Sequence, residues 1–286
     1  MNDSTACVVC EADSFAFLYD DTLKRCLRCG HVAANMQVDR ELLQKVYREN
    51  YFKGEEYVDY TRDKDILQYN FSRRLDHISS MVDFRPDQNV VEIGCAYGFF
   101  GEVLLRKFPF LHYTGFDVVP EACQYAVQTL DLTVRCEDFL EASAVPKCAH
   151  VFMWDVIEHL HNPHLYIRKL SENLSEGGYV YLTTGDISAL LPRVQKRGWR
   201  MIHPPSHLHY FSRESVSILL EKYGLRVTHL SYPGTARSWK QIFYSLYLLR
   251  KRENALKKRL YDRIPAKAFI TLNTYDIMLV MARKIG

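Results

Sequence analysis

The chain has 286 residues, of which 48% are hydrophobic and 25% charged, enough for one large domain with an appendage. A net charge of +3 indicates no general affinity for nucleic acid, and an aromatic content of 13% argues against disorder. No apolar run reaches the length of about 18 residues that a membrane span needs, and the start lacks the pattern of a secretory signal. We therefore expect a cytoplasmic protein, where cysteines bind metals more often than they form disulfides.

Two C-x-x-C pairs open the chain, Cys7 with Cys10 and Cys26 with Cys29. Paired spacing of this kind is typical of a four-cysteine zinc ribbon. Four thiolates complete the tetrahedral coordination of Zn²⁺, so the pattern predicts a structural ion and not a catalytic one. His31 is an alternative ligand. The remaining cysteines are expected in core or pocket positions: Cys95, Cys123, Cys136 and Cys148.

The segment after this module, residues 39–84, is predicted to be a largely helical connector, with residues 1–38 forming the zinc-ribbon-like module. Its apolar residues recur at helical spacing. Tyr51, Tyr57 and Tyr60 precede the first long helix, and we expect them either to cover a bound cofactor or acceptor or to be ordinary core and surface aromatics.

From residue 85 onward, strands and helices alternate along the chain. Strands are predicted at residues 89–93, 113–116, 132–135, 151–154 and 179–183, with helices at 99–107, 120–130 and 163–174. This alternation predicts an α/β fold with a parallel sheet covered on both faces. Ligands of such sheets bind beyond the carboxyl ends of the strands.

The turn after the first of these strands runs from Glu92 to Gly98 and contains small residues at Gly94 and Ala96. It lacks the third glycine of a dinucleotide-binding turn, because Phe99 occupies that position, and it lacks the lysine of a P-loop. A turn with an acidic residue and no phosphate-binding signature suits a positively charged ligand without phosphates.

The Glu92–Gly98 turn resembles the first motif of class I S-adenosylmethionine-dependent methyltransferases. The resemblance implies a Rossmann-like sheet of seven strands with helices on both faces, ending in an antiparallel pair at residues 225–230 and 277–282. The methyltransferase domain would span residues 85–286, with a basic helical insertion at about 234–272.

The same resemblance assigns S-adenosylmethionine as cofactor. Gly94 and Gly98 would let the backbone approach its methionine part, Asp117 would accept hydrogen bonds from the ribose hydroxyls, Asp138 would receive the adenine amino group, and Phe139 would flank the ring. The cofactor residues implied in this way are Glu92, Gly94, Ala96, Gly98, Asp117, Asp138, Phe139 and Trp154.

The four-cysteine start, joined to the segments Trp154–Leu160 and His207–Ser212, resembles methyltransferases of sugar, polysaccharide or secondary-metabolite pathways. Methylation of an oxygen needs a base, and histidine has a suitable pKa. His207 is the first candidate and His159 the second, with Tyr210 as a positioning group.

Two further readings of these segments stay open. Both histidines could instead serve packing, and Glu158 could be only a helix-start carboxylate.

The tail contains an aromatic and basic segment at residues 238–260. Such a segment could pack on its own domain, form a homodimer interface or touch an anionic membrane surface.

The sequence therefore predicts a methyltransferase, with O-methylation of a sugar, polysaccharide or related small molecule as the leading activity. The alternatives are C- or N-methylation of such an acceptor, and a zinc-ribbon module that binds RNA or protein on a methyltransferase-like scaffold. No nucleic-acid partner is expected, since Asp155–Glu158 replaces the Asp-Pro-Pro-Tyr type sequence associated with methylation of base amines.

Overall fold

The computed structural model describes residues 6–38, 60–243, 259–261, 263–264 and 269–285. The predictions for Tyr51 and Tyr57, and for most of the basic segment at 238–260, lie outside the described residues.

Strands and short helices account for most of the described chain. In chain order the strands are β1 (Phe15–Leu18), β2 (Leu23–Cys26), β3 (Val32–Ala34), β4 (Asn89–Ile93), β5 (His112–Asp117), β6 (Val134–Cys136), β7 (Cys148–Trp154), β8 (Leu174–Gly185), β9 (His209–Tyr210), β10 (Leu225–Ser231), β11 (Thr235–Ser238), β12 (Phe269–Leu272) and β13 (Ile277–Lys284). The helices are α1 (Lys64–Ser79), α2 (Phe99–Lys107), α3 (Pro120–Leu130), α4 (Pro163–Asn173), α5 (Leu190–Gln195), α6 (Arg213–Glu221) and α7 (Trp239–Phe243).

The larger sheet has seven strands in the order β10-β13-β8-β7-β4-β5-β6. Strands β4 to β8 pair in parallel, and β13 is antiparallel to both of its neighbours, β8 and β10. The predicted Rossmann-like sheet with a final antiparallel pair is confirmed. All carboxyl ends of the parallel strands meet at one edge, which is where this architecture binds ligands.

Alternating side chains of the central strands feed two cores, one on each face of the sheet. Phe152 packs with α1 and α2 through residues such as Leu75 and Leu104, whereas its neighbour Val151 packs with α4 through Ile167 on the other face. Both sides of the strands are thus buried, as a parallel sheet requires. The two cores hold the carboxyl edge of the sheet in a fixed position.

Local sequence signals account for where several helices begin. Helices α3 and α4 each have proline in the first turn, where a missing N–H carries no penalty. Helix α6 begins with a capping box, in which Ser212 and Ser215 each accept the other's backbone N–H. Both signals fix the residues at which these helices begin.

The cysteine-rich module forms a second, antiparallel sheet in the order β1-β2-β3-β9. Its last strand, β9, comes from the distant loop before α6, and Val32 pairs with Tyr210. Cys7 and Cys26 also lie in the core of the larger domain. The module is therefore built into the large domain through the segment that contains the predicted histidines.

Two expectations need correction. Cys95, Cys123 and Cys148 are buried as predicted, but Cys136 is exposed because it ends β6, the edge strand of the sheet. The insertion at 234–272, predicted to be helical, begins and ends in the paired strands β11 and β12, with the short helix α7 after β11. Among the described residues, no helix is both long and apolar enough to cross a membrane.

Candidate active site at the carboxyl edge of the sheet

The turn after β4 requires small residues for two separate reasons. Gly94 and Gly98 adopt φ values of +72° and +75°, which side chains rarely tolerate. A Cβ at Gly94 would lie 2.5 Å from Cγ2 of Val156, and a Cβ at Gly98 would lie 2.6 Å from Cδ1 of Leu132. The loop after β7 therefore packs directly against the turn, and a side chain at Gly94 would collide with it.

Asp117, at the end of β5, accepts hydrogen bonds that tie two loops together. Its Oδ2 accepts from the Ala96 N–H at 2.7 Å, and its Oδ1 accepts from the Val119 N–H at 2.9 Å. Burial raises its pKa, although these backbone donors act in the opposite direction. Asp117 thus lies where the sequence predicted, beside the turn, with its carboxylate held in one orientation.

Glu92 lies beneath the turn and not on its surface. Its carboxyl group is buried and accepts a hydrogen bond from the Tyr113 hydroxyl at 2.5 Å. Burial raises the pKa of Glu92 well above its ordinary value, in spite of that hydrogen bond. The structure therefore indicates that Glu92 links β4 to β5 through its hydrogen bond with Tyr113.

Asp138 and Phe139 follow β6 at the same edge. Oδ1 of Asp138 accepts from the Leu140 N–H at 2.8 Å and from the Tyr166 hydroxyl. The ring of Phe139 is buried edge-on to Phe116, with 5.4 Å between the ring centroids. The predicted cofactor residues after β5 and β6 thus lie at the carboxyl ends of neighbouring strands, and hydrogen bonds hold both carboxylates in place.

Trp154 ends β7 and its indole is covered by a residue that the sequence did not single out. The guanidinium of Arg74 lies 5.4 Å from the ring centroid and 3.8 Å from Asp155, the residue after the strand. Asp155 has a φ of +53°, an uncommon conformation for a residue with a side chain. Arg74 is buried although it lies on a largely polar helix, so periodicity alone could not reveal it.

The two predicted bases lie side by side. The ring centroids of His159 and His207 are 4.5 Å apart, and both side chains are buried. Tyr210 donates its hydroxyl hydrogen to the carbonyl oxygen of His207 at 3.0 Å, which agrees with a positioning group. Residues from the loop after β7 and from the loop before β9, separated in sequence, are thus brought together.

The family model for a methyltransferase domain matches residues 64–230, more than half of the chain. The chain belongs to the methyltransferase-domain family. The sheet order identifies the matched part as a class I S-adenosylmethionine-dependent methyltransferase domain.

Individual relatives are distant. A malonyl-[acyl-carrier protein] O-methyltransferase of Anoxybacillus flavithermus is 24% identical over 150 residues, which are 51% of this chain and 54% of that protein. The chain thus spans about half the length of this curated relative.

Two solved structures show the same fold with different acceptors in their names. Magnesium protoporphyrin IX methyltransferase from Synechocystis, with bound S-adenosylhomocysteine, is 15% identical with a TM-score of 0.55, covering 86% of this chain and 100% of that one. Geranyl diphosphate C-methyltransferase from Streptomyces coelicolor is 12% identical with a TM-score of 0.50, covering 75% and 78%. These likenesses establish the fold of the methyltransferase and leave its acceptor open.

The four cysteines of the methyltransferase's N-terminal module converge on one point. Sγ of Cys7 lies 3.6 Å from Sγ of Cys29, and Sγ of Cys10 lies 3.5 Å from that of Cys26. All four sulfurs lie within 4.8 Å of one another, and none forms a disulfide. Sulfurs around a tetrahedral Zn²⁺ at about 2.3 Å stand about 3.8 Å apart, so the arrangement fits that ion.

His31, the alternative ligand, points elsewhere. Its Nε2 lies 3.1 Å from Nδ1 of His209, and the two rings are stacked. This buried pair joins the cysteine module to the loop before α6. A two-residue strand and a histidine contact across 178 positions carry no local signal, which is why the sequence did not reveal them.

Tyr60, predicted either to cover the site or to be an ordinary aromatic, is buried over the turn. Its ring stacks on those of Tyr97 and Phe99, with centroids 5.7 and 5.4 Å away. The start of the described helical connector thus covers the turn after β4 from one side.

Proposed function

We propose that the chain transfers the methyl group of S-adenosylmethionine to a hydroxyl of a sugar, a polysaccharide unit or a related small molecule. The observation that carries the proposal is the carboxylate of Asp117, held beside the Gly94–Gly98 turn by the Ala96 N–H. A carboxylate at the end of β5, next to a glycine turn, can accept hydrogen bonds from both hydroxyls of a ribose.

The reaction itself is a single displacement. An oxygen lone pair of the acceptor forms a bond to the methyl carbon, the bond from that carbon to sulfur breaks, and its electron pair stays on sulfur. The acceptor's O–H proton must leave, and in this proposal His207 receives it, with His159 beside it. Holding the oxygen and the sulfonium in line supplies much of the rate.

A groove between helix α1 and the end of strand β10 is consistent with an acceptor that carries negative charge. Its volume is about 280 Å³, and Arg73, Arg74 and His77 line it opposite Ser231 and Tyr232. Arg74 also reaches Asp155 at the carboxyl edge of the sheet. Guanidinium groups bind phosphate and carboxylate well. Nucleoside diphosphate sugars are therefore the first acceptors to test. The malonyl group in the name of the Anoxybacillus relative also carries a carboxylate.

We further propose that Cys7, Cys10, Cys26 and Cys29 hold a structural Zn²⁺. With all four tetrahedral positions filled by sulfur, the ion would stabilise the sheet β1-β2-β3-β9 and would take no part in methyl transfer.

Transfer of isotope-labelled methyl from S-adenosylmethionine to nucleotide sugars and glycans tests the activity, with the methylated atom located by NMR. We expect an O-methyl product. The His207→Gln variant should lower kcat by about 10²- to 10⁴-fold while leaving the affinity for S-adenosylmethionine unchanged. Label on carbon or nitrogen would instead establish the alternative chemistry. Retained cofactor affinity without turnover, together with salt-sensitive RNA binding, would establish the binding-module alternative.

A further inference from the structure

We propose that Glu158, His159 and His207 form a second metal site, separate from the four cysteines, for a divalent transition-metal ion. One carboxylate oxygen and one ring nitrogen of each histidine lie within 4.8 Å of one another. All three side chains are buried. A carboxylate and two imidazoles are a donor set that proteins use for Zn²⁺ with a fourth coordination position left open.

The hydrogen bond of His159 prepares its other nitrogen for a metal. Nδ1 of His159 lies 2.8 Å from the carbonyl oxygen of Ser206. A carbonyl can only accept, so Nδ1 must carry the hydrogen, and in the neutral ring the lone pair is then on Nε2. Histidines that bind metals commonly donate their second N–H to a backbone carbonyl in this way.

Backbone hydrogen bonds hold the two loops of the site together without any ion. The N–H groups of Leu208 and His209 donate to the carbonyl oxygen of Glu158 at 2.9 and 3.0 Å. Tyr210 fixes the carbonyl of His207 from the other side. The three donor groups are therefore prearranged, which lowers the entropic cost of ordering them when a metal binds.

The separations of the three donors are compatible with one shared ion. Ligand atoms at about 2.1 Å from a tetrahedral Zn²⁺ stand about 3.4 Å apart. The three donor atoms all lie within 4.8 Å of one another. His203, whose ring centroid is 3.8 Å from that of His207, lies near enough to act as a further ligand or to accept a proton.

The site adjoins the cofactor turn, since Val156 of the same loop packs against Gly94. Resting on the proposed function, a bound ion would hold the acceptor's oxygen and lower the pKa of its hydroxyl. In that case His207 and His159 hold the ion instead of receiving the acceptor's proton, which passes from the metal-bound oxygen to water.

Titration of the full-length protein with Co²⁺ tests the site directly, starting from protein stripped of metal. Co²⁺ at the four cysteines produces a thiolate charge-transfer band, whereas Co²⁺ at the proposed site produces only weak d–d bands. We expect both signals in the wild type. Glu158→Gln and His207→Gln should each remove the second signal and keep the first, and the exposed-histidine variant His112→Gln should keep both.

A wild-type titration that saturates at the thiolate signal alone would overturn the proposal, and so would a second signal that survives both variants. If either variant misfolds, X-ray absorption of the zinc-loaded wild type decides: nitrogen and oxygen neighbours beside sulfur support the site, and sulfur alone contradicts it. The titration uses no S-adenosylmethionine. Failure of the methyltransferase proposal would appear instead as absent cofactor binding, with the Co²⁺ result unchanged.

Discussion

Gly94 and Gly98 show at the scale of single residues why the turn after β4 needs glycine. Both combine a positive φ with a neighbouring side chain closer than 3 Å to any added Cβ. The small residues in the sequence already predicted a tight turn between a strand and a helix, because glycine tolerates the backbone conformations that such a turn needs. They could not predict that Val156, from a loop more than sixty residues away, occupies the space above Gly94.

Gly94→Ala should lower both stability and cofactor affinity. The positive φ alone should reduce the free energy of unfolding by about 1 kcal/mol, and the contact with Val156 should raise that loss to about 2–4 kcal/mol. Gly224→Ala is the matched control, since Gly224 has a φ of +73° but its nearest neighbour would be 3.7 Å from the new Cβ. Chemical denaturation measures both variants. Equal losses would show that Val156 yields without strain.

The elements of the large sheet were predicted far better than those of the small one. Strand β4 and helices α2 and α3 have the predicted bounds. Hydrophobic periodicity, and for α3 a proline in the first turn, define such elements over a few neighbouring residues. Strand β9 has two residues, and only its pairing with β3 defines it. Such a strand depends on the tertiary fold, which no local pattern contains.

The cysteine module should depend on its metal. Cys26→Ser combined with Cys29→Ser should abolish zinc binding by the cysteine module and lower the melting temperature, because the module's sheet includes β9 and two of its cysteines lie in the main core. Cys136→Ser, which alters an exposed thiol, should change neither. Metal analysis and calorimetry of both variants check this. A zinc content that the double substitution leaves unchanged would rule the cysteine site out.

Zinc affinity should also fall as pH is lowered. Burial raises the pKa of Cys7 to about 11, whereas hydrogen bonds from the backbone of Cys29 and Arg28 overcome burial and lower the pKa of Cys26 to about 7. The Cys7 thiol therefore carries its proton at neutral pH and must release it to bind the ion, and the Cys26 thiol takes up a proton as the pH falls below about 7. Competition with a chelator across a pH series measures the slope, and pH-independent affinity would contradict it.

The stability of the whole molecule should decline in acid through a buried histidine. His150 lies in β7 between the Tyr181 hydroxyl and the Gln88 amide, and burial lowers its pKa to about 4. Because the folded pKa lies below the unfolded value of 6.5, its contribution is complete above pH 6.5 and is lost as pH falls toward 4. At about 1.4 kcal/mol for each pKa unit, the loss amounts to about 3 kcal/mol.

His150→Gln should make this decline shallower by a comparable amount, whereas the exposed His112→Gln should leave it unchanged. Urea denaturation at a series of pH values between 4 and 7 measures the slope for each protein. Parallel curves for wild type and His150→Gln would show that His150 does not take up a proton on unfolding.

The architecture as a whole places the turn after β4, Asp117 and Asp138 along one edge of a seven-stranded sheet. This arrangement was predictable because the carboxyl ends of parallel strands share an edge. The histidine loop was also predictable as a set of residues. Its contact with Glu158 was not, since backbone hydrogen bonds between residues about fifty positions apart leave no local pattern in the sequence.

Calorimetric titration with S-adenosylmethionine and S-adenosylhomocysteine is the most direct measurement of the central claim, with wild type, Asp117→Ala and Glu172→Ala compared. Glu172→Ala, which alters an exposed carboxylate on α4, should bind each ligand with the same affinity as the wild type. Asp117→Ala should weaken binding by about 10- to 100-fold, because hydrogen bonds to a charged group are worth about 1.5–3 kcal/mol. Absence of binding to the wild type, or full affinity in Asp117→Ala, would contradict the assignment of the turn and Asp117 as the cofactor site.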